Sequence, residues 1–305
     1  MIALSVALLA TALGVAAMPT AYPIYKRQMS SGSPTTTQVL QYALTLENLE
    51  KKFYADALSQ FDAGAFEAAG YPDWVRGRYT QIAGHESEHV SLLSGALGAD
   101  SVAPCQYSFP YTDVKSFTAL ATLIENVGVS AYAGAAQYIT DASYLTVAAV
   151  ILSTEARHQA WQSSAVEKAN PWGSAYDTPL GLDMVYTLAS AFITSCPSSN
   201  AALPVMAFPQ LTTSGGATAG STITLSYNGS TDGNYAVFYS GLGSVAVALD
   251  GSGSATVPSA LQGVAYVLVS SASDAMSVDT SNILAGPAII DFPFGAFVSN
   301  PAFMP

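Results

Sequence analysis

The stretch His85-Glu86-Ser87-Glu88-His89, with its echo Glu155-Ala156-Arg157-His158, decides how this chain is read. Both strings contain Glu-x-x-His. On a helix, residues three apart share a face, so one carboxylate oxygen and one imidazole nitrogen can reach a single ion. Outward from the first string, Val75, Tyr79, Ile82, Glu86, His89 and Leu93 step by four and three in turn. Tyr144, Ala148, Ile151, Glu155, His158, Gln162 and Ala165 do the same around the second. That is the seam a helix turns toward a bundle core. Charged groups there are costly unless they are paired, hydrogen-bonded or bound to metal.

Two further seams carry lone glutamates. One runs Leu40, Ala43, Glu47, Glu50, Tyr54, Ala57, Phe61; the other runs Thr118, Ala121, Glu125, Gly128, Tyr132, Ala135, Ile139. Glu47 and Glu125 are each followed by Asn, and by Tyr seven residues on. The chain order is Glu, Glu-x-x-His, Glu, Glu-x-x-His. Four helices offering that set inward match a carboxylate di-metal bundle. The predicted metal ligands are Glu47, Glu86, His89, Glu125, Glu155 and His158, arranged as a duplicated helix pair. All three histidines of the chain fall inside the two strings.

The region from about Thr36 to Pro197 resembles the ferritin-like superfamily. The strings QYALTLENLEKKFY (41–54) and AGHESEHVSLL (83–93) are similar to those of its secreted fungal stress-response proteins and plant desiccation-related proteins. The resemblance implies a ferritin-like four-helix bundle with two Fe or two Mn ions, metals that suit hard oxygen and imidazole ligands. It implies O2, peroxide or Fe(II) as the small partner. Glu47 and His89 would help hold one ion, Glu125 and His158 the other, with Glu86 and Glu155 bridging. Glu50 stands one turn after Glu47, where the second half has Gly128. It is similar to the extra carboxylate of peroxide-reducing rubrerythrins, although there that group sits on the third helix. Glu50, Tyr54 and Tyr132 are the candidate catalytic residues. The tyrosines otherwise fill core, or orient a carboxylate as hydrogen-bond donors.

Plainer readings stand beside these. Glu47 could pair with Lys51 at i+4 on a surface, and Glu50 could be solvated next to Lys51. A bundle that has lost its metal could keep a hydrogen-bonded Glu–His network. The first string also spells His-Glu-x-x-His, in which His85 and His89 would bind zinc and Glu86 would act as base. That rival needs a third ligand, and no histidine follows His89 until His158.

Composition bounds the rest. The chain has 305 residues, half of them hydrophobic, enough for two domains. Its net charge of −12 argues against nucleic acid, and no Lys or Arg follows Lys168. Residues 1–18 read as a secretory signal peptide and 19–35 as a pro-segment or flexible lead, with Lys26-Arg27 as a dibasic processing site. A secreted, extracellular protein is expected, with no membrane contact once processed. Two cysteines, Cys105 and Cys196, read as one disulfide in an oxidising compartment. Asn228-Gly229-Ser230 is a glycosylation sequon.

Helices are predicted at about 36–62, 73–97, 113–140, from there to about 168, and at 180–194. The bundle is assigned residues 36–197. After Pro197 glutamate vanishes, and short alternating runs separated by Gly-rich turns take over. These runs predict a small immunoglobulin-like β-sandwich over 205–300, giving an α+β two-domain fold. It carries no visible chemistry and reads as a docking, shielding or partner-binding element. The stretch from Gly286 to Pro305 reads as a Pro- and Phe-rich tail. The leading functional expectation is redox chemistry at a di-metal site in stress defence. The alternative is a non-catalytic accessory subunit with a vestigial site.

Overall fold

The computed structural model describes residues 33–216 and 218–298. The expected signal peptide and Lys26-Arg27 lie outside them. Six helices form the first part: α1 (Thr36–Gln60), α2 (Ala63–Ala68), α3 (Asp73–Leu97), α4 (Val114–Ala135), α5 (Ala142–Trp161) and α6 (Leu182–Ser190). The four long ones make the bundle, α1 packing on α3 and α4 on α5. Thr35 with Gln38, and Asp113 with Ser116, form reciprocal capping boxes that satisfy the first free N–H groups of α1 and α4.

Boundaries depart from expectation where local caps intervene. Phe61 turns to extended backbone and ends α1, and the Asp62 side chain caps α2, so Gly64 lies inside a helix rather than breaking one. Beyond Trp161 the chain continues as a π-helical turn, Gln162–Val166. The loop after α3 carries strand β1 (Gln106–Tyr107), which pairs antiparallel with β2 (Ile193–Ser195). Next to this ribbon Cys105 and Cys196 form the expected disulfide.

Seven antiparallel strands follow. β3 (Thr212–Gly215), β4 (Thr222–Ser226) and β7 (Ser254–Thr256) form one sheet in the order β3-β4-β7. β5 (Tyr235–Ser240), β6 (Gly243–Ala248), β8 (Gly263–Ser270) and β9 (Ile283–Phe292) form the other in the order β6-β5-β8-β9. This is the seven-strand immunoglobulin layout with its fourth strand moved to the edge of the opposite sheet. Residues 286–292 are therefore not tail but most of the last strand. Pro287 lacks an N–H, and it falls where the β8–β9 register shifts; the Gly286 N–H turns away to Pro209 O at 2.9 Å.

The four-stranded sheet is the middle of three layers. Phe238, Val267 and Val269 face Ile223 and Leu225 of the smaller sheet. Val237, Tyr239, Tyr266 and Leu268 face Tyr42, Leu180, Met184 and Val185 on the helical side. Burial on both faces explains the unbroken apolar run of β8. The Tyr266 hydroxyl reaches across to α4, 2.8 Å from both Ser130 Oγ and Asn126 Oδ1. Gly134, also on α4, lets the backbone before α6 approach closely. A Cβ there would lie 1.8 Å from Leu180 O.

Candidate metal centre

Each of the four long helices brings acidic side chains to one level of the bundle. Glu47 and Glu50 come from α1, Glu86 and His89 from α3, Glu125 from α4, Glu155 and His158 from α5. All five glutamates are buried. Neither Glu47 nor Glu50 is the surface group that pairing with Lys51 would require.

Two sets of ligand atoms emerge, each with its atoms within 4.8 Å of one another: Glu47, Glu86, His89 and Glu155; and Glu86, Glu125, Glu155 and His158. Glu86 and Glu155 belong to both. His89 Nδ1 lies 3.2 Å from Glu47, 3.0 Å from Glu86 and 3.2 Å from Glu155. His158 Nδ1 lies 3.2 Å from Glu125 and 3.4 Å from Glu86. His85 is in neither set, so the first string does not close as His-Glu-x-x-His around one ion.

The tyrosines cross between the halves. Tyr54 on α1 donates to Glu125 on α4, and Tyr132 on α4 donates to Glu47 on α1 at 2.5 Å. Buried and beside carboxylates, both phenols are held well above their ordinary range and stay neutral donors. Gln162 adds its amide to the Tyr54 hydroxyl at 2.9 Å. Its place four residues after His158, a polar group on a core seam, was its only signal in the sequence.

His85 has a different job. Its Nδ1 lies 2.8 Å from His158 Nε2, and the two rings stack. Burial, then the neighbouring imidazoles, lower its pKa, which favours a neutral ring able to accept at Nδ1. With an ion bound, the pair would fit a His158 that donates from Nε2 to His85 and offers an unprotonated Nδ1 to the metal. An outer partner of this kind fixes tautomer and orientation in metal-ligating histidines.

The residues fit a pair of cations on two counts. First, Glu155 has both oxygens and Glu86 has Oε1 buried without a hydrogen bond; such atoms are costly to leave unpaired. Second, five carboxylates face two imidazoles, so negative charge is in excess. Burial raises the pKa of Glu155, Glu86 and Glu50, and the charges of the other glutamates raise them further. Glu125 is the exception. Burial raises it, but the hydrogen bond and charge of His158 outweigh that and hold it low. Burial pulls His89 down, but hydrogen bonding and attraction to Glu47 leave it raised.

Residues 35–168 match the family model for the ferritin-like domain. This segment is a ferritin-like domain. Over 174 residues the chain is 25% identical to protein rds1 of Schizosaccharomyces pombe. That alignment takes in 57% of this chain but only 43% of rds1, so the match spans less than half of the relative's length.

Proposed function

We propose that the ferritin-like domain holds a carboxylate-bridged pair of iron or manganese ions and performs redox chemistry on peroxide, O2 or Fe(II) as a secreted stress-defence protein. The carrying observation is that the two ligand sets share Glu86 and Glu155 and no other residue. Glu47 and His89 would complete one position, Glu125 and His158 the other. Four carboxylates and two imidazoles suit iron or manganese by hardness. Bound there, the ions would supply electrons to O2 or peroxide and take them from Fe(II) or a second peroxide.

The chain's own residues would do the rest. Tyr132 and Tyr54 aim Glu47 and Glu125. His85 orients His158. Glu50 stands at the gap left by Gly128 and would hold a proton beside the centre. The disulfide and the exposed Asn228 sequon support the secretion reading.

The test is elemental analysis of chelator-free protein from its native medium, followed by peroxide and Fe(II) turnover. About two iron or manganese per chain is expected. Protein that takes up neither after supplementation would overturn the proposal in favour of a scaffold. Stoichiometric zinc lost in His85→Ala would favour the zinc rival.

A further inference from the structure

An apolar cavity of about 370 Å³ lies where the bundle meets the middle sheet, between α1, α4, α6 and β9. Leu46, Leu49, Ile124, Val127, Leu188 and Ile289 are among its walls. Its size and apolar lining are those of a small-molecule pocket. One acidic group interrupts that lining. Glu50 is 6% exposed, lines the cavity, and makes no hydrogen bond among the described residues. Its carboxyl faces the cavity and is free to hydrogen-bond whatever enters there.

The cavity also borders the carboxylate cluster. Gly128 lines it beside Glu50, and a Cβ at Gly128 would lie 3.0 Å from Glu50 Oε1 and 3.4 Å from Glu155 Oε2. The wall of the cavity at Gly128 therefore lies against Glu155, one of the two shared carboxylates of the metal centre. In a helix interior, glycine costs about 1 kcal/mol against alanine. Here it leaves room for the Glu50 carboxyl.

We propose that this cavity binds an uncharged straight-chain amphiphile, its alkyl chain along the apolar walls and its hydroxyl head on the Glu50 carboxyl. A hydroxyl both donates and accepts, so it satisfies Glu50 whether or not the carboxyl carries a proton. An ammonium or carboxylate head would lose more hydration on entering apolar walls. That the head lies beside reacting ions rests on the reading of the metal centre; the binding itself does not.

The experiment is calorimetric titration of the full chain, metal-free and metal-loaded, with n-alkanols from butanol to dodecanol. Kd is expected to fall about fourfold per added methylene until the cavity is full. Val127→Trp and Leu188→Trp, which fill it, are expected to weaken decanol about tenfold or more. Should either variant fail to fold by circular dichroism, a diazirine-bearing decanol on the wild type is expected to label α1, α4, α6 or β9. No binding, no chain-length dependence, unchanged affinity in both folded variants, or labelling elsewhere would overturn the inference. So would decylamine or decanoate binding more tightly than decanol. Alkanol binding lost in protein that holds its ions removes this inference alone. Alkanol binding intact in protein that takes up no ions removes only the metal reading.

Discussion

The helix pair α1–α3 and the helix pair α4–α5 bring matching groups to the centre, yet they differ in what surrounds those groups. Glu47 matches Glu125, Glu86 and His89 match Glu155 and His158, and Tyr54 matches Tyr132, each tyrosine serving the other half's glutamate. Around this shared set the halves part. His158 is backed by His85, and Tyr54 by Gln162, whose counterpart four residues after His89 is Leu93. Where the first half has Glu50, the second has Gly128. The buried Glu and His side chains keep the symmetry. The asymmetry lies one step outward, where one side is braced by hydrogen bonds and the other opens on an apolar cavity.

The largest expected effect separates the shared ligands from the unshared ones. Glu155→Gln should abolish binding of both ions, while His89→Gln and His158→Gln should each leave about one per chain. Elemental analysis decides it. If all three variants retain the same metal content, Glu155 is not a bridge.

Next comes the crossed tyrosine pair. Hydrogen bonds to charged groups contribute about 1.5–3 kcal/mol. Tyr54→Phe should cost that much in urea unfolding, and more than Tyr132→Phe, because it also removes the shorter of the two bonds of the Gln162 amide. Equal costs would mean that Gln162 adds nothing.

A smaller effect tests the one position where the halves exchange a carboxylate for space. Gly128→Ala should gain about 1 kcal/mol of helix propensity in an otherwise Glu50→Ala chain. With Glu50 in place, its oxygen 3.0 Å from the new Cβ should cancel much of that gain. A double-mutant cycle with no coupling would separate the two residues.

The smallest effect is a slope with pH. Glu50, Glu86 and Glu155 are held above the ordinary carboxylate range in the folded chain, first by burial and then by one another. Above about pH 4.3, the unfolded value, the folded state keeps protons that the unfolded chain has released. That stability is fully present below this pH and is lost as pH rises through the folded values. Raised His89 acts in the same sense. Depressed Glu125 acts oppositely, its contribution being lost as pH falls. Three raised carboxylates outweigh one depressed, so the Tm of metal-free protein should fall from about pH 5 to about pH 8. Iron or manganese should flatten that fall in differential scanning calorimetry.

The helical spacing of the sequence carried the buried cluster of Glu and His side chains and the two halves, because a charged residue on a core seam is rare without a reason. It did not carry the partners those residues find. Tyr54 and Tyr132 sit on their own seams, and nothing local says that each reaches the opposite half. His85 read as the start of a zinc motif because its neighbour His158 lies 73 positions away. β3 and β9 are hard to read locally for different reasons. β3 is a short, mostly exposed edge strand without apolar alternation, and β9 carries Gly286-Pro287, which locally reads as a break. The composition change after Pro197 marked a boundary in the sequence that the shared core does not respect.

The Tyr266 phenol has a mechanical consequence. It meets Asn126 and Ser130, one turn apart on the same helix, and so grips two successive turns of α4 from the middle of the sheet. Rolling α4 about its long axis would strain both bonds at once. It would also move Glu125 and Gly128 together, since both are carried by the same helix. The C-terminal strands thus resist rotation of the helix that carries Glu125 and Gly128.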